Sequence, residues 1–164
     1  MFEGMDGMDA RLFAQLTAIN QSVIQLRGLY SLWSSAHGIS YNEMLVLYAL
    51  REKGYCTQKS LCESYRLPRQ TINNVFAALR KRGLLAIDPT LNRGREKAFV
   101  LTDTGRAKAQ PLIDALGQFE TRAAALAGEK TLAALTNQMK IYNRALEQAL
   151  AETGRTAADG TPVL

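Results

Sequence analysis

The chain has 164 residues, 47% of them hydrophobic, and a formal net charge of +5. That size and apolar content suit one domain, or one domain with helical extensions, around a real core, and they exclude a disordered chain. No apolar run approaches the roughly 20 residues of a membrane span. The acidic start MFEGMDGMDA lacks the basic lead and apolar centre of a signal peptide, so a cytoplasmic location without a membrane partner is expected, with Met5 and Met8 as alternative starts.

Charge is unevenly spread. Residues 51–97 hold eleven Lys/Arg against four Asp/Glu, a net +7, which leaves the remainder of a +5 chain at −2. This asymmetry points to a polyanionic partner for the middle segment. Cys56 and Cys62 do not make a disulfide framework, which agrees with a reducing compartment.

In chain order, Leu12, Leu16, Ile19, Val23, Leu26, Tyr30 and Trp33 alternate steps of four and three, a heptad seam on one long helix that Gly38 ends. Ser40 and Glu43 form a capping box for a second helix over about 41–53, packing through Met44, Leu45, Leu47, Tyr48 and Leu50 up to Gly54. Thr57 caps a short third helix over about 58–65, with Leu61, Cys62 and Tyr65 inward. A corner at RLPRQ comes next, and Pro68 suits the first position of a fourth helix over about 68–82 that stops at Gly83. Leu84–Asp88 and Glu96–Leu101 read as two strands around a Pro-, Asn- and Gly-bearing hairpin loop. Thr102 caps a fifth helix with the stripe Leu112, Leu116, Phe119, Ala123, Leu126, ending near Gly128. A sixth helix carries Leu132, Leu135, Met139, Tyr142, Leu146 and Ala149. The expected division is therefore a region of long helices in 8–38 and 103–152, a compact basic region in 39–102, and a disordered tail in 153–164.

The fourth helix, within LPRQTINNVFAALRKRGLL, carries the most informative chemistry. Ile72, Val75, Phe76 and Leu79 make its buried stripe, while Gln70, Asn73, Asn74, Ala77 and Lys81 share the opposite face, with Arg69, Arg80 and Arg82 around them. A merely solvated face would carry helix-favouring Glu/Lys pairs; this one has amides and no acid. Asn and Gln match the N6/N7 edge of adenine, and Arg and Lys match the O6/N7 edge of guanine. Two short helices across a tight corner, the second polar and basic, make a helix-turn-helix, and the cationic hairpin after it suits a wing reaching backbone or minor groove. The expected DNA-facing set is Thr57, Gln58, Lys59, Pro68, Arg69, Gln70, Thr71, Asn73, Asn74, Lys81, Asn92, Arg93, Arg95 and Lys97.

From Ile39 to Gly105 the chain resembles the winged helix-turn-helix of the MarR family of bacterial transcriptional regulators. LPRQTINNVFAALRKRGLL matches the recognition helix and first strand, and NRGREKAFVLTDTG matches the wing, second strand and start of the next helix. Leu101–Gly105 carries the LT-x-x-G pattern. The fold this implies is mainly α with a small β-hairpin wing, a winged helix-turn-helix flanked by long dimerisation helices. It also implies a homodimer whose two recognition helices read a near-palindromic double-stranded operator. One departure stands out: the family often has an Asp two positions before the wing arginine, where this chain has Arg93 before Arg95.

The heptad stripes read either as intrachain core or as a dimer interface. Dimerisation is favoured because the outer helices lack another large partner and because successive major grooves demand recognition helices about 34–36 Å apart. Leu12, Leu16, Ile19, Leu132, Leu135, Met139, Tyr142 and Leu146 are the expected interface. The resemblance suggests a ligand crevice between dimer helices and DNA-binding lobe, where Tyr30, Trp33, His37 and Tyr41 fall; a small aromatic ligand there competes with the reading of these rings as packing. With no Gly-rich phosphate loop, His-x-x-x-His pair or nucleophile elbow, neither an enzyme, a cofactor nor a metal is expected. The resulting expectation is a dimeric repressor relieved by a small molecule. The alternatives are a helical interaction module with a basic face and a cysteine-based redox-sensing regulator.

Overall fold

The computed structural model describes residues 9–156. Six α-helices and three short strands succeed one another along these residues: α1 Ala10–Ala36, α2 Tyr41–Lys53, β1 Cys56–Thr57, α3 Gln58–Tyr65, α4 Arg69–Lys81, β2 Leu85–Ile87, β3 Ala98–Leu101, α5 Asp103–Ala127 and α6 Glu129–Thr156. Two compact units divide the chain between Asp114 and Ala115, so α5 begins in the first and ends in the second.

Local chemistry sets the boundaries in the first unit. Asp9 caps α1 by accepting from the Arg11 N–H at 2.9 Å. Both halves of the expected capping box form at α2: Ser40 Oγ accepts from Glu43 N at 3.1 Å, and Glu43 Oε2 accepts from Ser40 N at 2.8 Å. Gly54, with φ 72°, closes that helix. Thr57 and Ser60 reproduce the same reciprocal cap at α3. At the end of α4, Gly83 takes φ 69° while its N–H reaches Arg80 O at 2.8 Å and Leu84 N reaches Leu79 O at 2.9 Å, a Schellman closure.

Three expectations are corrected here. The corner before α4 turns on Arg66, whose φ of 50° and ψ of 38° are left-handed, and Pro68 is the N-cap of α4 rather than its first helical residue. In α2 it is Val46, fully buried, that joins Met44, Leu47 and Leu50 in the interior, whereas Leu45 and Tyr48 are only half-buried. The sheet has three strands, not two. It is antiparallel in the order β1-β3-β2, with Cys56 opposite Phe99 and Leu85 opposite Leu101. A two-residue strand shows no alternation that a sequence could reveal, and Thr57 serves it while also capping α3.

The core of this unit lies where α2, α3 and α4 meet the sheet. Val46, Leu61, Ile72 and Phe76 are essentially inaccessible, and Phe76 meets Phe99 edge-on at 4.7 Å and 81°. Full burial of each such side chain contributes about 1.5–3 kcal/mol, and the aromatic pair about 0.5–1.5 kcal/mol more. This packing fixes the inner face of α4 and therefore the direction of its outer face.

The second unit comprises the end of α5 and all of α6. Of the α5 stripe, Leu116 is buried, but Phe119 and Leu126 are exposed. Gly128, at φ 84°, separates the two helices. The sixth helix continues to Thr156, past residue 153 where the tail was expected to begin; the rest of that expectation, 157–164, and the acidic start with Met5 and Met8 lie outside the described residues.

Candidate nucleic-acid interface

The buried stripe of α4 dictates what the helix shows outward. Ile72, Phe76 and Leu79 point in, so Arg69, Gln70, Asn73, Asn74, Ala77 and Lys81 are exposed, with Thr71 half-buried at the margin. Gln70 Nε2 donates to Asn74 Oδ1 at 3.1 Å, one turn along. That bond holds the two amides side by side and leaves the Gln70 oxygen as acceptor and three amide N–H groups as donors. Arg69 and Lys81 form no ion pair among the described residues. At the far end, Arg82 donates to Glu43, whose carboxylate also caps α2, so one acid joins the start of α2 to the end of α4. Arg82 thereby also places a cation at the negative end of its own helix.

The wing is built as a four-residue turn. Arg93 and Glu96 pair through their backbones, with N–O distances of 3.2 and 3.0 Å, and Gly94 supplies the φ of 58° between them. Before the turn, Pro89–Leu91 make a short 3₁₀ segment, capped by Asp88, that the hairpin reading did not anticipate. The side chain of Asn92 is committed to the hairpin, accepting from Ala98 N at 2.8 Å. Arg93 Nη2, at the position where the family often has Asp, donates to Tyr55 Oη at 3.3 Å. Exposed Arg95 and Lys97 carry no ion pair among the described residues.

At the start of α3 the expected residues fare differently. Thr57 is buried, its hydroxyl engaged by Ser60 N at 3.0 Å and directed at Glu96 Oε2 at 3.4 Å. Gln58 is half-buried. Lys59 Nζ lies 3.0 Å from Glu96 Oε1 and 3.9 Å from Glu63. Glu96, through its hydrogen bond first and its charge second, raises the Lys59 pKa above the ordinary lysine value, with Glu63 adding to the effect. Tyr55 and Glu96, and the hold of Glu43 on Arg82, are thus what sequence reading missed. Glu96 did leave a signal as the sole acid in the wing, but its partner lies 37 residues away.

An open cleft of about 720 Å³ runs along the edge of β1, walled by Tyr48, Tyr55, Tyr65, Lys59, Arg93 and Glu96. The aromatic quartet is elsewhere. Trp33 and His37 stack at 4.1 Å and 23°, His37 Nδ1 meets Trp33 O at 2.8 Å, and Arg27 stands 5.4 Å over the ring of Tyr41. Tyr30, Trp33 and Tyr41 are half-buried, His37 is exposed, and none of the four lines that cleft.

The expected interface residues are uncovered to differing degrees. Leu12, Leu132, Leu135 and Leu146 are exposed, while Leu16, Ile19, Met139 and Tyr142 are half-buried. On α1, Ile24 and Leu32 are each 70% exposed as well. Cys56 is buried, and desolvation pushes its thiol pKa up to about 12. Among the described residues no group of three His, Cys, Asp or Glu side chains is placed to hold a metal ion, and no helix is long and apolar enough to cross a membrane.

A tri-helical core, a polar exposed second helix and a tethered hairpin beside it define a winged helix-turn-helix protein. Residues 37–96 match the profile of the MarR family. A MarR family regulator from Neisseria meningitidis superposes with a TM-score of 0.76 at 27% identity, over 85% of this chain and 98% of that one. BpsR from Bordetella bronchiseptica, whose DNA binding is regulated by 6-hydroxynicotinic acid, shares the fold with a TM-score of 0.61 at 20% identity, over 79% and 98% of the two chains. Reduced AbfR bound to DNA does so with a TM-score of 0.60 at 21% identity, over 83% and 95%. No curated protein matches the chain.

Proposed function

We propose that this protein is a homodimeric repressor that binds a near-palindromic site in double-stranded DNA and is released from it by a small aromatic ligand. The observation that carries this reading is the outer face of α4. A helix anchored by Ile72, Phe76 and Leu79 presents Gln70, Asn73 and Asn74 with no acid among them, and paired amides of this kind suit adenine edges in the major groove. Arg69 and Lys81 on the helix and Arg95 and Lys97 on the wing supply phosphate contacts that fix register. The DNA complex of AbfR, with the same fold, supports the assignment.

Dimerisation is supported by the apolar side chains that the single chain leaves exposed. α1 has two charged residues in 27, Arg11 and Arg27, yet exposes Leu12, Ile24, Leu26, Leu29 and Leu32; α6 exposes Leu132, Leu135 and Leu146. Helices this apolar require cover, and a second copy is the cover that also spaces two recognition helices for successive grooves. The ligand reading is supported by the Trp33–His37 stack, a surface suited to a flat ring, and by the ligand control of BpsR. Repression would result from a dimer lying across a promoter and excluding polymerase.

Genomic fragments retained by the protein should converge on one inverted repeat, and hydroxyl-radical footprints should show two protected patches about one helical turn apart. Retention proportional to fragment length alone, with no enriched sequence, would refute the reading. The variant Leu135→Asp with Met139→Asp should elute as monomer from a sizing column; an unchanged dimer volume would remove those residues from the interface.

A further inference from the structure

We propose that Glu96 is a specificity-determining residue: by holding Lys59 and clasping the wing to the start of α3, it suppresses sequence-independent attraction to DNA. The inference rests on the proposed DNA-binding function. Glu96 is the only acid among the wing residues 92–97, and no acid occurs from Arg66 through Ile87. An acid in that position opposes a polyanionic partner, yet its geometry is well defined. One carboxylate oxygen sits 3.0 Å from Lys59 Nζ and the other accepts from Thr57 Oγ1 at 3.4 Å. Its backbone pairs with Arg93, whose guanidinium donates to Tyr55. Both stem residues of the wing turn are therefore tied by their side chains across 37 to 39 residues of sequence, Glu96 to β1 and α3 and Arg93 to Tyr55 just before β1. Arg95, between them, is presented by a turn fixed on both sides.

Lys59, exposed and on the basic segment, has its charge matched by Glu96 and is withheld from phosphate. The wing is also positioned before DNA arrives, which favours the one register in which Arg95 and the α4 amides meet their targets together. Non-specific binding depends almost wholly on the number of phosphates neutralised, whereas specific binding depends also on base contacts and register. Pairing Lys59 with Glu96 therefore lowers the first more than the second.

The test compares the wild-type protein, Glu96→Gln and the double variant Glu96→Gln/Lys59→Gln, titrated from 50 to 200 mM salt against a selected duplex and a random duplex of equal length. Glu96→Gln keeps the side-chain shape but removes the nearer acid from Lys59, leaving only the exposed Glu63 at 3.9 Å, so Lys59 is freed to neutralise one more phosphate. The log–log salt slope on random DNA should steepen by about 0.9, and affinity near 0.1 M salt should rise on the order of eightfold. Affinity for the selected duplex should rise less or fall, which narrows the discrimination. Removing Lys59 as well should return the slope on random DNA to the wild-type value. A wing that Glu96 merely stabilised would lose affinity without a steeper slope, and that result, or three identical slopes, would overturn the proposal while leaving DNA recognition intact. Wild-type protein that prefers no duplex would instead remove the functional reading, and this inference with it.

Discussion

Replacing Gly105 by alanine should unsettle the junction between the sheet and α5, although Gly→Ala in a helix ordinarily stabilises by about 0.4–1 kcal/mol. Gly105 lies in the first turn of α5 at a negative φ, so conformation does not demand glycine there; space does. A β-carbon at this position would stand 2.0 Å from the carbonyl oxygen of Leu84, 2.9 Å from its carbonyl carbon and 3.2 Å from its Cα. All three are backbone atoms that cannot swing aside. The same carbonyl accepts from Thr102 N at 3.1 Å, and Thr102 Oγ1 both caps Gly105 N at 2.9 Å and donates to Gly83 O at 2.7 Å. Moving Leu84 by more than an ångström would break that cluster. Overpacking costs about 1–3 kcal/mol and each lost hydrogen bond about 0.5–1.5 kcal/mol, giving roughly 2–4 kcal/mol in all. For a protein of this size that is a fall in Tm of about 4–16 °C. Differential scanning calorimetry of Gly105→Ala reads it, with Gly28→Ala, where no atom of the described residues lies within 4 Å of the new methyl, as the control that should hold or gain stability. A Gly105→Ala melting point at or above wild type would refute the close-approach argument.

Glu43→Ala should cost about 1–3 kcal/mol, because a carboxylate whose side chain is only 15% exposed both caps α2 and holds Arg82. Arg82→Ala, on a half-exposed cation, should cost under about 1 kcal/mol; equal losses from the two in urea titrations would contradict the double role assigned to Glu43. The Cys56 thiol, pushed by burial from 9.0 to about 12, binds its proton more tightly folded than unfolded. Its contribution to stability is therefore complete below pH 9 and is lost as pH rises towards 12, at up to about 1.4 kcal/mol per pH unit. Tyr65, also raised mainly by desolvation, acts in the same direction above pH 10. Cys56→Ala should flatten the alkaline limb of a stability–pH curve measured by denaturant titration, and a limb as steep as wild type would show the thiol to be exposed.

Much of the fold was legible because it is encoded locally. Ser40 with Glu43, Thr57 ahead of an apolar turn, and the i, i+3, i+4, i+7 run from Ile72 to Leu79 each specify an element through neighbours within eight residues, and those elements lie where expected. The exposed amides of α4 came from the same periodicity. What escaped was decided by tertiary context. β1 is two residues long and exists because β3 offers Cys56 and Thr57 an edge. Val46 is buried where the periodicity favoured Leu45, since the faces met by α2 decide its inner side. Arg66 adopts a left-handed turn that no composition cue marks. The site's pairings, Glu43 with Arg82, Lys59 with Glu96 and Tyr55 with Arg93, join residues 37 to 39 apart. Charge counting gave a basic middle but not which cations are already matched, so Lys59 and Arg95 looked equivalent in sequence and differ in their surroundings.

The most direct measurement is discrimination, the ratio of affinities for the selected inverted repeat and a scrambled duplex at fixed salt, for Gln70→Ala, Asn74→Ala and Arg95→Ala. Loss of an amide that reads a base should cut the ratio by about tenfold or more, at roughly 1–3 kcal/mol per base contact, whereas loss of Arg95 should lower both affinities together and reduce the salt slope by about one. Three variants that leave the ratio untouched would mean that the amide face of α4 does not read sequence.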